Sequence, residues 1–281
     1  MNNSLKSRIK RAIRYILRGT PVQNIKAEIA IKKSGELLKG RNVVITGGGR
    51  GLGFYIAKRC IEEGANVLIT GRSRETLQRA ASELGNCHYL AFDVTNLAET
   101  VSFFDECEAL LGGTVDCLVN NAGVSHHEYS FFTITEKDWD VQFDTNLKAP
   151  FFLSQEYCKR FIEAGKEKGS ILFVSSERSF FCDERPYGLI KAAINSLSGG
   201  LARRFLDKGI RINAIAPGVT ASDMTGFDKN GNLYYENSCG HRVFMPEEVA
   251  ETAIYLLSDL SACVSGHVIP TNNGNHLKCD W

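Results

Sequence analysis

The run Asn42-Val-Val-Ile-Thr46 leads directly into Gly47-Gly-Gly-Arg-Gly-Leu-Gly53, and the glycines open a stretch with helical spacing of Phe54, Ile56, Ala57 and Ile61. A buried strand that turns through glycines into a helix constrains the fold strongly. Glycine permits the tight turn and lets the backbone approach a pyrophosphate, which the helix N-terminus attracts. A glycine trio alone is a weak signal; the strand before it and the helix after it supply the confirming context. The junction therefore predicts a dinucleotide held at Gly47, Gly51 and Gly53.

The rest of the chain repeats this alternation. Strands are expected at 66–70, 88–92, 115–119, 170–175, 210–215 and 267–269. Helices are expected at 75–84, 97–111, a long one after Thr135, 186–206 and 246–257. Strands alternating with helices imply a parallel sheet covered on both faces. The expected fold class is α/β, a doubly wound parallel sheet (Rossmann fold), forming a single domain over 40–281 with an N-terminal helical extension over 1–39. Residues 218–245 interrupt the rhythm. A loop of that length in a compact domain is usually functional or disordered, and this one is expected to cover substrate.

The extension is charged differently from the body. Residues 1–41 hold 11 Lys/Arg against 2 Asp/Glu, and the remainder holds 22 against 30. Leu5, Ile9, Ala12, Ile13, Ile16 and Leu17 share one helical face, with basic residues largely elsewhere. Such a segment packs on its own body or a neighbouring subunit, or lies on an anionic membrane surface as a peripheral contact. An acidic body repels phosphate backbones, so nucleic acid is not an expected partner. No apolar run approaches the ~20 residues needed to span a bilayer. The nine cysteines include no C-x-x-C, and no His/Cys cluster has zinc spacing. Reduced thiols and a cytoplasmic location are expected. No metal is expected, and His126 and His127 lack a third ligand.

The end of the second strand selects the cofactor. An acid there would bind the ribose 2′-hydroxyl of NAD(H). The chain instead reads Thr70-Gly-Arg-Ser73, and Arg50 lies within the glycine loop. Two guanidinium groups suit a 2′-phosphate, so NADP(H) is favoured over NAD(H).

Tyr187-Gly-Leu-Ile-Lys191 opens a helical stretch 136 residues after Gly51. Residues four apart share a helix face. A phenol has a pKa near ~10, and a neighbouring ammonium favours its ionised form. Tyr187 can then exchange a proton with a substrate while a nicotinamide exchanges the hydride.

These motifs together resemble the short-chain dehydrogenase/reductase family over residues 40 to 275. The resemblance implies that Gly47, Arg50, Gly51, Leu52 and Gly53 form the cofactor loop, with Arg72 beyond it. Asp93, in Phe92-Asp-Val94, is implied to contact the adenine, beside Val94. Asn121, Ala122 and Gly123, in Asn120-Asn-Ala-Gly123, are implied to steady the sheet beside the cofactor. Asn146 is implied to anchor a water in a catalytic tetrad with Ser176, Tyr187 and Lys191. Ser176 would polarise the carbonyl, and Lys191 would also hold the nicotinamide ribose. Pro217, Gly218 and Ser222 are implied to lie against the nicotinamide. The family implies a homodimer or homotetramer built through the long helices after Thr135 and Pro186.

The chain departs from that family's pattern in three places. Ile190 stands where a serine is usual before the lysine. Ser176 and Tyr187 are 11 apart, a shortened separation that leaves Ser175 as a rival hydroxyl. Asn272-Asn-Gly274 replaces an Asp-Gly-Gly.

The expected function is oxidoreduction between a ketone and a secondary alcohol, a small-molecule carbonyl/alcohol substrate. The charged loop Glu177-Arg178…Asp183-Glu-Arg185 points to a polar, sugar-like carbonyl, since an apolar substrate needs an apolar pocket. The alternative is a non-catalytic cofactor- or sugar-binding protein docked through the basic arm.

Overall fold

The computed structural model describes residues 34–127 and 130–277. Seven strands form one sheet: β1 (Asn42–Thr46), β2 (Asn66–Gly71), β3 (Cys87–Ala91), β4 (Cys117–Asn120), β5 (Gly169–Val174), β6 (Ile210–Pro217) and β7 (Val268–Thr271). Their spatial order is β3-β2-β1-β4-β5-β6-β7, and every pairing is parallel. Among the described residues seven α-helices flank it: α1 (Gly51–Glu62), α2 (Arg74–Leu84), α3 (Thr100–Leu111), α4 (Glu136–Phe143), α5 (Ala149–Glu163), α6 (Pro186–Phe205) and α7 (Pro246–Leu257). The doubly wound α/β sheet matches the expected class.

Successive strand side chains point to opposite faces, and the buried residues divide accordingly. Val43, Ile45, Val67, Ile69, Cys117 and Val119 pack with Phe54, Ile56, Cys60, Val249 and Ile254 of α1 and α7. Val44, Leu68, Leu118, Ile171 and Phe173 pack with Phe103, Phe104, Leu153, Phe161, Ile190 and Ile194 of α3, α5 and α6. Strands apolar on both faces are what a sheet covered on both sides requires.

β1 lies between β2 and β4, with Val43, Val44 and Ile45 in register with Cys117, Leu118 and Val119. The chain leaves β1 for one side of the sheet and leaves β4 for the other. A crevice opens beyond the carboxyl ends of strands at such a reversal, and ligands bind there.

Two features adjust the expected layout. Residues 34–39, expected within the extension, lie in contact with the body. Leu38 is fully buried, its N–H donates to the Glu63 carbonyl at 2.9 Å, and the Glu63 carboxylate accepts Gly35 N–H at 2.7 Å. The amphipathic pattern of Leu5 to Leu17 lies outside the described residues. The long helix after Thr135 is split: Asp144–Lys148 forms a π-helical turn between α4 and α5. Such turns often mark functional positions, and this one carries Asn146.

The insert 218–245 contains turns and two isolated bridges, Thr220 to Phe244 and Tyr234 to Arg242. Lys229 donates to the Tyr55 hydroxyl of α1 and lies 3.3 Å from Glu247 of α7. The insert is thereby fastened to two helices on one side of the sheet.

Candidate active site

The glycine loop is a backbone cradle. Gly47 and Gly51 have φ of 66° and 56°, a region that favours glycine. A Cβ on Gly47 would lie 2.9 Å from Ala122 Cα, and one on Gly53 would overlap Asn121 Nδ2 and Gly47 O. Thr46 fixes the loop after β4: its hydroxyl accepts from Asn121 N–H and Ala122 N–H, both at 3.0 Å. Asn121 Nδ2 returns hydrogen bonds to the Thr46 and Gly47 carbonyls at 2.9 and 3.0 Å. The loop after β6 completes the group. Gly218 N–H donates to Thr271 O at 3.2 Å, Pro217 is the last residue of β6, and Ser222 Cβ lies 3.9 Å from where a Gly51 Cβ would stand. Leu52 is half-buried against the α1 core.

These residues fit a dinucleotide. Glycine at 47 and 53 lets the loop close onto Asn121 and Ala122, and α1 opens there with its free N–H groups. Arg72 is exposed at the end of β2 and has no hydrogen-bond or ion partner among the described residues. Arg50 differs from expectation. Its guanidinium lies 3.4 Å from Asp223, with the two side chains 73% and 75% exposed, so part of its charge already faces a carboxylate. Asp93 is exposed and accepts from Thr95 N–H and hydroxyl at 3.0 and 2.8 Å. The Val94 side chain belongs to the core, which leaves only its backbone to a ligand.

Asn146 is buried and brackets Val124, accepting its N–H at 2.8 Å and donating to its carbonyl at 2.7 Å. Gly123 makes room for this, since a Cβ there would stand 3.2 Å from Asn146 Oδ1. The π turn packs against α6, which brings Asn146 to the helix of Tyr187 and Lys191.

On α6 one helical face carries Tyr187, Lys191 and Asn195, four residues apart. Ser176 is the polar side chain that acts on the Tyr187 phenol. Lys191 is buried, donates to the Val174 carbonyl at 2.7 Å, and places Nζ 5.3 Å from the centre of the Tyr187 ring. Asn195 accepts from the Ser175 hydroxyl at 2.6 Å and donates to the Ser179 hydroxyl at 2.8 Å. Ser179 in turn donates to the Ser176 carbonyl at 2.6 Å. Ser175 is therefore turned into the packing between β5 and α6, while Ser176 faces the phenol.

The electrostatics depart from the expected tuning. Burial pushes the Tyr187 phenol up, and the Ser176 side chain draws it back only in part. Burial pulls the Lys191 ammonium down to about 8. The expected lowering of the phenol by Lys191 is not the dominant effect, because Nζ sits over the ring face and is held by Val174 O.

The charged loop after Ser176 is also corrected. Glu177 is buried, and its Oε2 accepts from Asn272 and Asn275, both at 3.0 Å. Arg178 and Arg185 both pair with Asp183, and despite its burial they hold that carboxyl below its usual value. These charges face one another, so they no longer argue for a polar substrate. His126 pairs with Asp138 at 2.8 Å, and His127 Nε2 meets Met224 O at 2.8 Å. Among the described residues no group of three His, Cys, Asp or Glu side chains is placed to hold a metal.

Sequence reasoning overlooked Asn195 and the hydroxyl of Thr46, and read Asp183 only as one charge of a substrate-facing loop. Only Asn195 carried a usable signal, being eight residues after Tyr187 on the same helical face.

Residues 47–276 match a family model described as enoyl-(acyl carrier protein) reductase. A 3-oxoacyl-(acyl-carrier-protein) reductase, FabG, of Chlamydia trachomatis is 33% identical over 247 residues, covering 85% of this chain and 98% of that protein. A gluconate 5-dehydrogenase of Gluconobacter oxydans is 30% identical, over 84% of this chain and 95% of that one. A solved structure of a short-chain type dehydrogenase/reductase from Mycobacterium ulcerans superposes with a TM-score of 0.79 at 26% identity, covering 86% of this chain and 91% of its own.

Proposed function

The chain belongs to the short-chain dehydrogenase/reductase family, and on that premise we propose that it is an NADP(H)-dependent oxidoreductase interconverting a ketone and a secondary alcohol. The carrying observation is the buried Lys191, one turn after Tyr187 on the same face of α6, with its Nζ 5.3 Å from the centre of the Tyr187 ring and tied to the end of β5 two residues before Ser176.

When bound, the nicotinamide supplies or takes the hydride. The protein handles the proton and the oxygen. Ser176 donates a hydrogen bond to the substrate oxygen. Tyr187 gives its proton to that oxygen in reduction and recovers it in oxidation. Lys191 would hydrogen-bond the nicotinamide ribose and supplies positive charge beside the phenol. Asn146 holds the Val124 backbone on the other side and anchors the relay water. Gly47, Gly51, Gly53, Asn121, Ala122, Gly123, Pro217, Gly218 and Ser222 line the cofactor cleft, and Asp93 and Val94 border its adenine end.

The NADP(H) preference rests on Arg72, which is free to pair with a 2′-phosphate where an acid would favour NAD(H). Arg50 is its weaker companion. A sugar-like carbonyl substrate draws support from the gluconate 5-dehydrogenase likeness and none from the inward-facing loop charges; the 3-oxoacyl reductase, at 33% identity, supports an acyl ketone instead. Assembly into a dimer or tetramer is supported by Phe151, Phe152 and Leu189, which stand about 40% exposed on α5 and α6. The scattered cysteines suit a reducing, cytoplasmic setting.

The test is turnover of NADPH and NADH against a panel of sugar ketones, gluconate-type substrates, acyl ketones and steroids, on the full chain and on protein lacking residues 1–31. Turnover with no member of the panel and either cofactor defeats the oxidoreductase reading. Activity on apolar ketones alone defeats the sugar-like assignment.

A further inference from the structure

Asp183 lies on the loop between Ser176 and α6, its side chain 2% exposed. The proton chemistry proposed above does not use it. Its Oδ2 accepts from Arg178 Nε at 2.8 Å and from Arg178 Nη2. Its Oδ1 accepts from Arg185 N–H and Nε, both at 3.2 Å. A third contact is steric. A Cβ on Gly188 would overlap Oδ2, Cγ and Cβ of Asp183. Because Cβ itself is among the overlapped atoms, no rotamer of Asp183 relieves the conflict. Gly188 follows Tyr187 in the first turn of α6, a helix with no side-chain cap of its own. A carboxylate is favoured at that helix end. Arg178 N–H, in turn, donates to Ser176 Oγ at 3.3 Å.

One carboxylate thus touches the residue after Tyr187 and grips the residue two after Ser176. We propose that Asp183 is a positioning residue: seated on Gly188 and gathering Arg178 and Arg185, it locks the loop 177–185 against the Tyr187 turn and so fixes the approach of the Ser176 and Tyr187 hydroxyls. This rests on reading those two hydroxyls as the reacting pair. Misplacing such a pair costs rate because catalysis depends on near-contact geometry. A purely structural ion cluster would cost stability and leave the rate alone.

The experiment is a double-mutant cycle on the full chain, at a temperature well below every variant's Tm. Gly188→Ala in the native background lowers kcat about tenfold or more with the NADPH Kd unchanged. In an Asp183→Gly background, which removes the Cβ with the carboxylate, the same change alters kcat less than about twofold. Equal effects in both backgrounds overturn the proposal. Asp183→Asn keeps the shape and drops the charge, and it decides the matter if Gly188→Ala does not fold. It lowers kcat and speeds trypsin cleavage after Arg178; Arg185 precedes Pro186 and is not cut. Native cleavage overturns the proposal, and so does faster cleavage with kcat unchanged, which leaves only a structural clamp. If the native protein turns over no carbonyl compound, the oxidoreductase reading has failed, and the cleavage comparison still tests the lock without any substrate.

Discussion

Lys191 donates its hydrogen bond to the Val174 carbonyl and lies over the ring of Tyr187, 5.3 Å from its centre. The amine is thus tied to the end of β5, one residue before the Ser175-Ser176 pair, and it meets the phenol through its aromatic face. A cation over an aromatic face is attracted by the ring, and this contact holds the Tyr187 ring from below.

Tyr187→Phe removes only the proton donor. Turnover is expected to fall by about two to four orders of magnitude, while fluorescence titration with NADPH gives an unchanged Kd. If the physiological role of the protein survives this change, the protein acts as a binding module and the catalytic assignment is wrong.

Lys191 sets a pH dependence of stability. Burial lowers its pKa from 10.5 to about 8. Between those values the unfolded chain holds the proton more firmly than the folded one, so stability rises with pH. Below about 8 both states are protonated and the slope vanishes. Lys191→Met abolishes the dependence. The Tm of the native protein relative to the variant should therefore climb as pH is raised from 8 towards 10.5. A difference that stays flat over this window disproves the buried amine.

Arg72→Asp converts the end of β2 to the pattern that binds a ribose 2′-hydroxyl. The KM for NADPH should rise about tenfold or more, while that for NADH falls or holds. Arg50→Ala should change the NADPH KM far less, because Arg50 already faces Asp223. Steady-state kinetics with both cofactors would check this, and equal losses for the two substitutions would refute the ranking.

Asn195→Leu keeps bulk and deletes both hydrogen bonds of the amide. Ser175 loses its shorter partner and Ser179 is released from α6. Thermal unfolding should show a loss of about 1–3 kcal/mol, and kcat should fall about tenfold as Ser176 loosens. Ser175→Ala should spare most of the rate. A greater loss of kcat from Ser175→Ala than from Ser176→Ala would reverse the assignment of the two hydroxyls.

The sheet and its helices were legible because β1, β2, β4 and β5 are apolar runs bounded by polar or glycine punctuation, and the helices between strands carry apolar stripes. The cradle at Gly47–Gly53 was legible for a similar reason, since its neighbours in sequence are its neighbours in space. The π turn at Asp144–Lys148 was not, because a single extra residue per turn leaves no mark on a 3.6 period. The loop 177–185 was misjudged for a deeper reason. Charge in a sequence says nothing about whether it faces solvent, substrate or another charge, and Arg178, Asp183 and Arg185 resolve that only when the chain folds back on Gly188. The choice between Ser175 and Ser176 likewise depended on Asn195, twenty residues away from Ser175.

The amide of Asn146 takes both backbone groups of Val124, as an adjoining strand would. A side chain on a helix thus ends the β4 segment where the sheet no longer can. Upstream of that anchor the conformation is settled, whatever follows. Downstream, among the described residues, His126 and His127 are held by side-chain contacts alone, to Asp138 and to Met224 O. Substitutions at 126 and 127 would therefore reshape the border of the cleft while leaving the scaffold that feeds it intact.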